Sequence, residues 1–145
     1  MIALLQRVTW ARLRIAGETR GEIGQGLVVL VGVEKDDDTA KADRLLHRVL
    51  NYRVFADAEG RMNRSLLDIE GEWLLVSQFT LAATTDKGLR PGFSSAMSPA
   101  EAEPLFDYLV QQAQRQPCRM VSGVFGADMQ IGLENDGPVT FMLRV

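Results

Sequence analysis

The chain has 145 residues, 46% of them hydrophobic and 24% charged, a composition typical of one globular domain over residues 1–145 with a core of its own. The net charge of −3 argues against a broad basic surface, so we expect no DNA partner, and any contact with RNA must be local. No apolar stretch reaches membrane-spanning length, so we expect no membrane partner, and the lone Cys118 fits a cytoplasmic location.

The first half of the chain predicts three strands followed by a helix. Ile2–Val8 and Ala11–Ile15 are predicted strands, and the second alternates apolar with polar side chains. Leu27–Val33 is apolar on both faces, which is typical of a central strand. We interpret Asp36–Asp38 as solvated caps at the start of an amphipathic helix, whose buried stripe is Ala42, Leu45, Leu46, Val49 and Leu50.

The middle of the chain predicts a short strand, a turn and a second helix. We expect a strand at Tyr52–Phe55 and a turn at Glu59-Gly60 that leads to the apolar run ending at Val76. The sequence Ser98–Glu101 has the pattern of a capping box with proline at the first helical position. Residues 82–97 are expected to form one long irregular loop, and such loops in small domains are often functional.

The C-terminal region predicts two more strands with a tight connection between them. One alternating run leads from Met129 toward Asn135, and a second leads away from Val139. With at least seven strand-like runs and two helical stripes, we expect an α/β fold. It should be a single domain of curved, barrel-like, antiparallel-rich β-sheets packed with two main helices.

A search for residues that could carry out catalysis finds few candidates. There is no G-x-S-x-G nucleophile motif, and the single histidine, His47, is expected to be a half-buried helix residue. Cys118 follows a proline at the start of a strand with no obvious base, so we interpret it as a small structural residue. Without a second histidine or a cysteine cluster, we expect no metal and no cofactor.

Polar residues remain at the end of the apolar run at residues 73–76. Ser77, Gln78 and Thr80 follow it, with Phe79 between them. A hydroxyl is a weak nucleophile without a base, and serine and threonine are also common at strand ends for structural reasons. On a regular strand Ser77 and Thr80 would point to opposite faces, so they could share one pocket only if the strand ended or bulged.

Two segments in this order and setting, Ser77–Leu81 and Asn135–Thr140, resemble the D-aminoacyl-tRNA deacylases. These are small homodimeric enzymes that remove D-amino acids from tRNA, and the resemblance extends over essentially the whole chain. It implies that the partners are the 3′ end of an aminoacyl-tRNA and a second copy of the chain.

The resemblance also implies roles for particular residues. It places Ser77, Gln78, Phe79 and Thr80 around the 3′-terminal adenosine and the scissile ester. Ser77 and Thr80 would be catalytic residues that position groups, not nucleophiles, since the family attributes catalysis largely to the terminal ribose 2′-hydroxyl. Two further residues match positions near the bound aminoacyl group: Ala102 and Phe125.

Gly137 and Pro138 match the family's cis Gly-Pro element. In the family this element enters the pocket of the partner subunit and rejects L-amino acids, while glycine, which has no side chain, is accepted. Without the resemblance, an ordinary trans turn between two strands would be the expected structure here.

Two other functions remain open. The pocket could bind the acceptor end of an RNA without turnover, although the acidic balance weighs slightly against a pure binder. Alternatively, the chain could be a small-molecule hydrolase or deaminase with a site formed between subunits, which would not require RNA.

Overall fold

The computed structural model describes all residues, 1–145. It contains eight strands, two α-helices and one 3₁₀ turn. In chain order the elements are β1 (Ile2–Ile15), β2 (Glu18–Ile23), β3 (Gly26–Gly32), α1 (Thr39–Asn51), β4 (Phe55–Ala56), β5 (Met62–Arg64), β6 (Glu72–Ser77), the 3₁₀ turn (Phe79–Ala82), α2 (Pro99–Gln114), β7 (Met120–Ser122) and β8 (Met129–Arg144).

Six of the strands form one curved sheet. β1 pairs with β3 along its first half, with β2 along its second half and with β8 along its whole length, in each case antiparallel. The sheet continues through β6 and β7, which are both parallel to β3. β4 and β5 form a separate antiparallel hairpin. The predicted α/β fold, with a curved antiparallel-rich sheet and two main helices, is confirmed.

The curvature brings the two ends of the sheet almost into contact. A Cβ atom on Gly21 of β2 would lie only 2.6 Å from Cγ1 of Val121 on β7, so this close approach requires a glycine. The sheet therefore nearly closes into a barrel, with one apolar face inside and the other facing the helices.

The two strands predicted near the N-terminus are one long strand, β1, and the two predicted near the C-terminus are one long strand, β8. Each long strand contains a bulge. Val8 pairs with Asn135 and Trp10 with Glu134, so β1 carries one extra residue at this point. Gln6 pairs with Thr140, and residues 136–139 of β8 therefore lie opposite a single residue of β1. We call residues 136–139 the Gly-Pro bulge. The predicted tight connection between two strands is wrong, because pairing with β1 continues on both sides of the bulge.

The bulges explain why the alternation breaks in the sequence although the strands continue. An extra residue shifts which face the following side chains occupy. Ala3 and Leu5 belong to the larger core that packs against the helices, whereas Ala11 and Leu13, beyond the bulge, belong to the smaller core inside the curved sheet.

Both helices begin where the sequence predicts, but their caps differ in detail. The Asp38 side chain accepts a hydrogen bond from the Lys41 N–H at the start of α1, while Asp37 is buried and is not a solvated cap. At the start of α2 the Ser98 hydroxyl donates to the Glu101 carboxylate and accepts no backbone N–H, so the predicted capping box does not form. Proline at the first helical position is confirmed.

The short strand predicted at Tyr52–Phe55 begins only at Phe55. It pairs with β5, so the turn at Glu59-Gly60 closes a small hairpin and does not lead directly to β6. The Asp57 carboxylate accepts the N–H groups of Arg61 and Glu59, which stabilises the turn and lowers the pKa of Asp57. Neither helix of the structure has the length and apolar composition needed to cross a membrane.

Candidate active site at the end of strand β6

A cavity of about 650 Å³ opens at the edge of the sheet where β3 and β6 end. These strands are parallel neighbours, so their carboxyl ends meet at one edge, which is where ligands bind in many parallel sheets. The remaining walls come from residues 93–102, around the start of α2, and from residues 125–131. Residues of the predicted site that line the cavity are Ser77, Gln78, Phe79, Ala102 and Phe125.

The turn after β6 decides which polar groups reach the cavity. β6 ends at Ser77, the Gln78 N–H donates to the Val31 carbonyl (2.7 Å), and the chain then enters the 3₁₀ turn. Strand alternation therefore stops, and Ser77, Gln78 and Phe79 all line the cavity. Thr80 does not line it, but its hydroxyl accepts a hydrogen bond from Gln78 Nε2 (2.6 Å). Thr80 therefore contributes to the cavity indirectly, by holding the side-chain amide of Gln78 in place.

Two aromatic rings lie at the mouth of the cavity. Phe79 is 59% exposed and Phe93 is 41% exposed, and their ring centroids lie 5.0 Å apart at an angle of 50°. Exposed rings of this kind offer a flat apolar surface on which a base can stack. We refer to Phe79 and Phe93 as the aromatic rim.

The inner wall is apolar. Ala102 lies buried on the cavity side of α2, and the half-buried ring of Phe125 packs against Phe106 with centroids 6.1 Å apart. Both residues line the cavity, as expected from the resemblance, and their contact with an aminoacyl group remains a prediction.

The Gly-Pro bulge lies outside this cavity. Gly137 and Pro138 are exposed and joined by a cis peptide bond, as the resemblance implies. Arg7 holds the bulge: its Nε donates to the Asp136 carbonyl (3.2 Å) and pairs with the Asp136 carboxylate (3.0 Å). A second guanidinium nitrogen donates to the Val54 carbonyl (2.6 Å), which connects the bulge to the start of the β4–β5 hairpin.

A second brace closes the base of the bulge. Asn135 Oδ1 accepts the N–H of Val139 (2.8 Å), and Asn135 Nδ2 donates to the Thr140 hydroxyl (2.8 Å). The one side chain thus bonds to the last residue of the bulge and to the residue that follows it. The site residues predicted from sequence therefore fall into two groups, one around the cavity and one in the bulge, that do not meet within a single chain.

Comparison with known proteins supports the family resemblance along the whole chain. Residues 4–144 match the family model described as D-Tyr-tRNA(Tyr) deacylase. The chain belongs to this family. It is 62% identical over 144 residues to a D-aminoacyl-tRNA deacylase of Stutzerimonas stutzeri, with 99% of each chain covered. It is 61% identical over 144 residues to one of Pseudomonas fluorescens, again with 99% of each covered.

A solved structure agrees with the fold. The protein named c-Myc DNA Unwinding Element Binding Protein superposes with a TM-score of 0.93 at 38% identity, covering 100% of this chain and 99% of that chain. The deacylase family consists of hydrolases that act on ester bonds, so the chain is a hydrolase of this class.

The cavity of this deacylase holds little that could act as a catalytic base. Asp128 is the single ionisable side chain in its lining. His47 is exposed on α1 and not half-buried as predicted, and it does not line the cavity. Cys118 is buried and does not line the cavity, and burial, together with the charge of Glu70, raises the pKa of its thiol, which disfavours the nucleophilic thiolate.

The backbone offers hydrogen-bond donors at the same place. The N–H groups of Phe79 and Thr80 are the first of the 3₁₀ turn, and the first N–H groups of a helical turn have no partner within that turn. They follow Ser77, the residue that ends β6, with Gln78 between. Free backbone donors beside a site can stabilise an oxyanion that develops there.

Two residues of the site were not identified from the sequence: Phe93 at the cavity and Arg7 beside the Gly-Pro bulge. Phe93 lies in the segment expected to be an irregular functional loop, and its aromatic ring was the available signal. Arg7 is 129 positions from Asp136, and only the pairing of β1 with β8 brings them together, so no local pattern could identify it.

Proposed function

We propose that this chain hydrolyses the ester that joins a D-amino acid to the 3′-terminal adenosine of tRNA, and that it does so in the cytoplasm as a homodimer. The terminal adenosine would stack at the aromatic rim, and the ester would lie beside Ser77 and Gln78. The observation that supports this most directly is the cavity at the end of β6, where the first family segment meets Ala102 and Phe125.

The chemistry follows from the groups that are present. Water adds to the ester carbonyl, the bond to the ribose oxygen breaks, and that oxygen leaves with a proton. The neighbouring 2′-hydroxyl of the terminal ribose assists the proton transfers, since the cavity holds neither histidine nor a reactive thiol. The N–H groups of Phe79 and Thr80 at the start of the 3₁₀ turn would stabilise the oxyanion, and Ser77 with the Gln78–Thr80 pair would position the ester and water.

Selectivity for D-amino acids requires a second subunit. The Gly-Pro bulge is exposed and lies outside the cavity of its own chain, which suits insertion into the cavity of a partner. An inserted backbone would form a wall where the side chain of an L-amino acid would lie. Because main-chain atoms form this wall, it excludes every L side chain by steric contact, whereas a D-amino acid or glycine still fits.

One set of substrates tests the proposal. The enzyme is incubated with D-tyrosyl-tRNA, L-tyrosyl-tRNA, glycyl-tRNA and D-tyrosine methyl ester. We expect release of D-tyrosine and glycine from tRNA and no reaction with the other two. Hydrolysis of the methyl ester would instead support a small-molecule hydrolase, and binding of tRNA without hydrolysis would support an RNA-end-binding module.

A further inference from the structure

A small basic hairpin lies next to the aromatic rim. Thr84 and Gly92 exchange two backbone hydrogen bonds, with N···O distances of 2.7 and 2.9 Å, and close a short loop between them. We call residues 84–92 the rim hairpin. Its residues are all exposed, and Leu89 is fully so.

The base of the rim hairpin is fixed to the site. On one side it follows the 3₁₀ turn, and on the other it leads directly into Phe93 of the aromatic rim. The Ser95 hydroxyl donates to the Ala82 carbonyl, and the Lys35 N–H donates to the Ser95 carbonyl (3.2 Å). Because a strand advances about 3.3 Å per residue and the tip is four residues from either end, the tip lies within about 13 Å of the Thr84–Gly92 closure.

The tip carries two cations that have no partner in the chain, and with its one carboxylate, Asp86, the rim hairpin has a net charge of +1. Lys87 and Arg90 form neither an ion pair nor a side-chain hydrogen bond. Unpaired cations also lie elsewhere on the surface, for example Arg14 and Arg20, but Lys87 and Arg90 are the pair that lies in the segment leading into the aromatic rim. Two unpaired cations thus lie beside an aromatic surface, the combination that proteins use to bind single-stranded nucleic acid.

We propose that Lys87 and Arg90 of the rim hairpin bind the phosphodiester groups of the single-stranded tRNA end just before its terminal adenosine. This inference rests on the proposed function, since it assumes that the adenosine stacks at the aromatic rim. It also explains how a chain with a net charge of −3 can hold an RNA end, because the contact is local.

The test compares a double variant, Lys87→Ala with Arg90→Ala, with a control, Arg14→Ala with Arg20→Ala. The control removes the same charge from two exposed, unpaired arginines on β1 and β2. Two substrates are used: D-tyrosyl-tRNA, and the D-tyrosyl ester of adenosine, which has the ester and base but no phosphodiester. KM and kcat are measured for both at several salt concentrations.

We expect the hairpin variant to raise KM for D-tyrosyl-tRNA about tenfold at low salt and to leave kcat unchanged. Two lost contacts to single-stranded phosphates should also lower the slope of log KM against log salt by about 1.4. The adenosine ester should be hydrolysed by both variants as by the wild type.

The outcomes separate this inference from the proposed function. A hairpin variant with the KM and salt slope of the control, while wild type hydrolyses both substrates, would refute the hairpin contact alone. Equal loss on the adenosine ester would also refute it, since the hairpin would then act through the shape of the cavity. Wild-type enzyme that hydrolyses neither substrate would refute the proposed function.

Discussion

The two family segments use the same local hydrogen bond in different surroundings. In the first, the amide of Gln78 donates to the Thr80 hydroxyl (2.6 Å), and in the second the amide of Asn135 donates to the Thr140 hydroxyl (2.8 Å). The first follows β6, a strand whose residues 73–76 are buried. The second closes an exposed bulge in the long strand β8.

This difference determines what holds each segment in place. Backbone pairing of β6 with β3, continued by the Gln78 N–H bond to the Val31 carbonyl, holds the start of the first segment. The second leaves the ladder for four residues, 136–139, and depends on side chains of Arg7 and Asn135. We therefore expect substitutions around the bulge to disturb geometry, and those after β6 to remove individual contacts with substrate.

The largest effect is expected from Gly137→Ala. Gly137 has φ of +130°, where an L side chain is strained, and an added Cβ would lie 2.6 Å from Val139 Cγ2 and 3.0 Å from the Val139 nitrogen. The bulge must shift, and a displacement of about 1 Å can reduce activity about 100-fold. Deacylation of D-tyrosyl-tRNA and L-tyrosyl-tRNA should be measured together with the melting temperature.

Gly60→Ala is the matched control for this substitution. Gly60 also has positive φ, +78°, but an added Cβ would meet nothing within 4 Å, and the residue lies in the β4–β5 turn. It should show a similar cost of backbone strain with activity retained. A Gly137→Ala enzyme with wild-type rate and selectivity would show that the bulge is not part of the site.

Arg7→Ala should have the next largest effect. The substitution removes the pair with Asp136 and leaves the Val54 carbonyl without its donor, at a cost of about 1–3 kcal/mol in stability. We expect kcat/KM to fall roughly 10–30-fold as the bulge loosens. Arg12→Ala is the control, since the exposed Arg12–Glu22 pair on β1 should contribute less than about 1 kcal/mol. Equal effects of the two would contradict a special role for Arg7.

These expectations also show what could be predicted from the sequence. Alternating side chains located both ends of β1 and β8, and helical spacing located α1 and α2, because buried positions repeat with a fixed period. The continuity of the long strands was missed, since a bulge interrupts that period while backbone pairing with the neighbouring strand continues.

Local sequence patterns also limited what could be predicted of the site. The first segment was identifiable because its polar residues directly follow an apolar strand in the sequence. The contacts of Arg7 with Asp136 and of Phe93 with Phe79 join residues from different elements, so they depend on the tertiary fold. Local patterns thus located the two segments but could not show which distant residues hold them.

A moderate effect is expected from Phe93→Leu, which tests the aromatic rim. Loss of stacking on one base costs about 1–3 kcal/mol, so KM for D-tyrosyl-tRNA should rise roughly tenfold or more while kcat changes little. Met62→Ala removes another exposed apolar side chain, on the β4–β5 hairpin, and should leave KM unchanged. A Phe93→Leu enzyme with an unchanged KM would show that the base does not stack there.

The smallest effects are expected from Thr80→Ala and Thr140→Ala, which remove the corresponding hydrogen bond from each segment. One neutral hydrogen bond contributes about 0.5–1.5 kcal/mol, so neither rate should fall more than about tenfold. Thr80→Ala should lower kcat on D-tyrosyl-tRNA because the Gln78 amide loses its partner at the cavity. Thr140→Ala should instead raise hydrolysis of L-tyrosyl-tRNA, because it loosens one end of the bulge.

A tRNA that lacks the terminal 2′-hydroxyl provides the reference for both variants. If RNA assists the reaction, this substrate should lose far more rate with the wild-type enzyme than the Thr80→Ala enzyme loses with normal tRNA. The reverse order, an inactive Thr80→Ala enzyme and normal turnover of the 2′-deoxy substrate, would make Thr80 a nucleophile. That result would also contradict the contrast between the two segments, because the segment after β6 would then supply the reacting atom as well as positioning contacts.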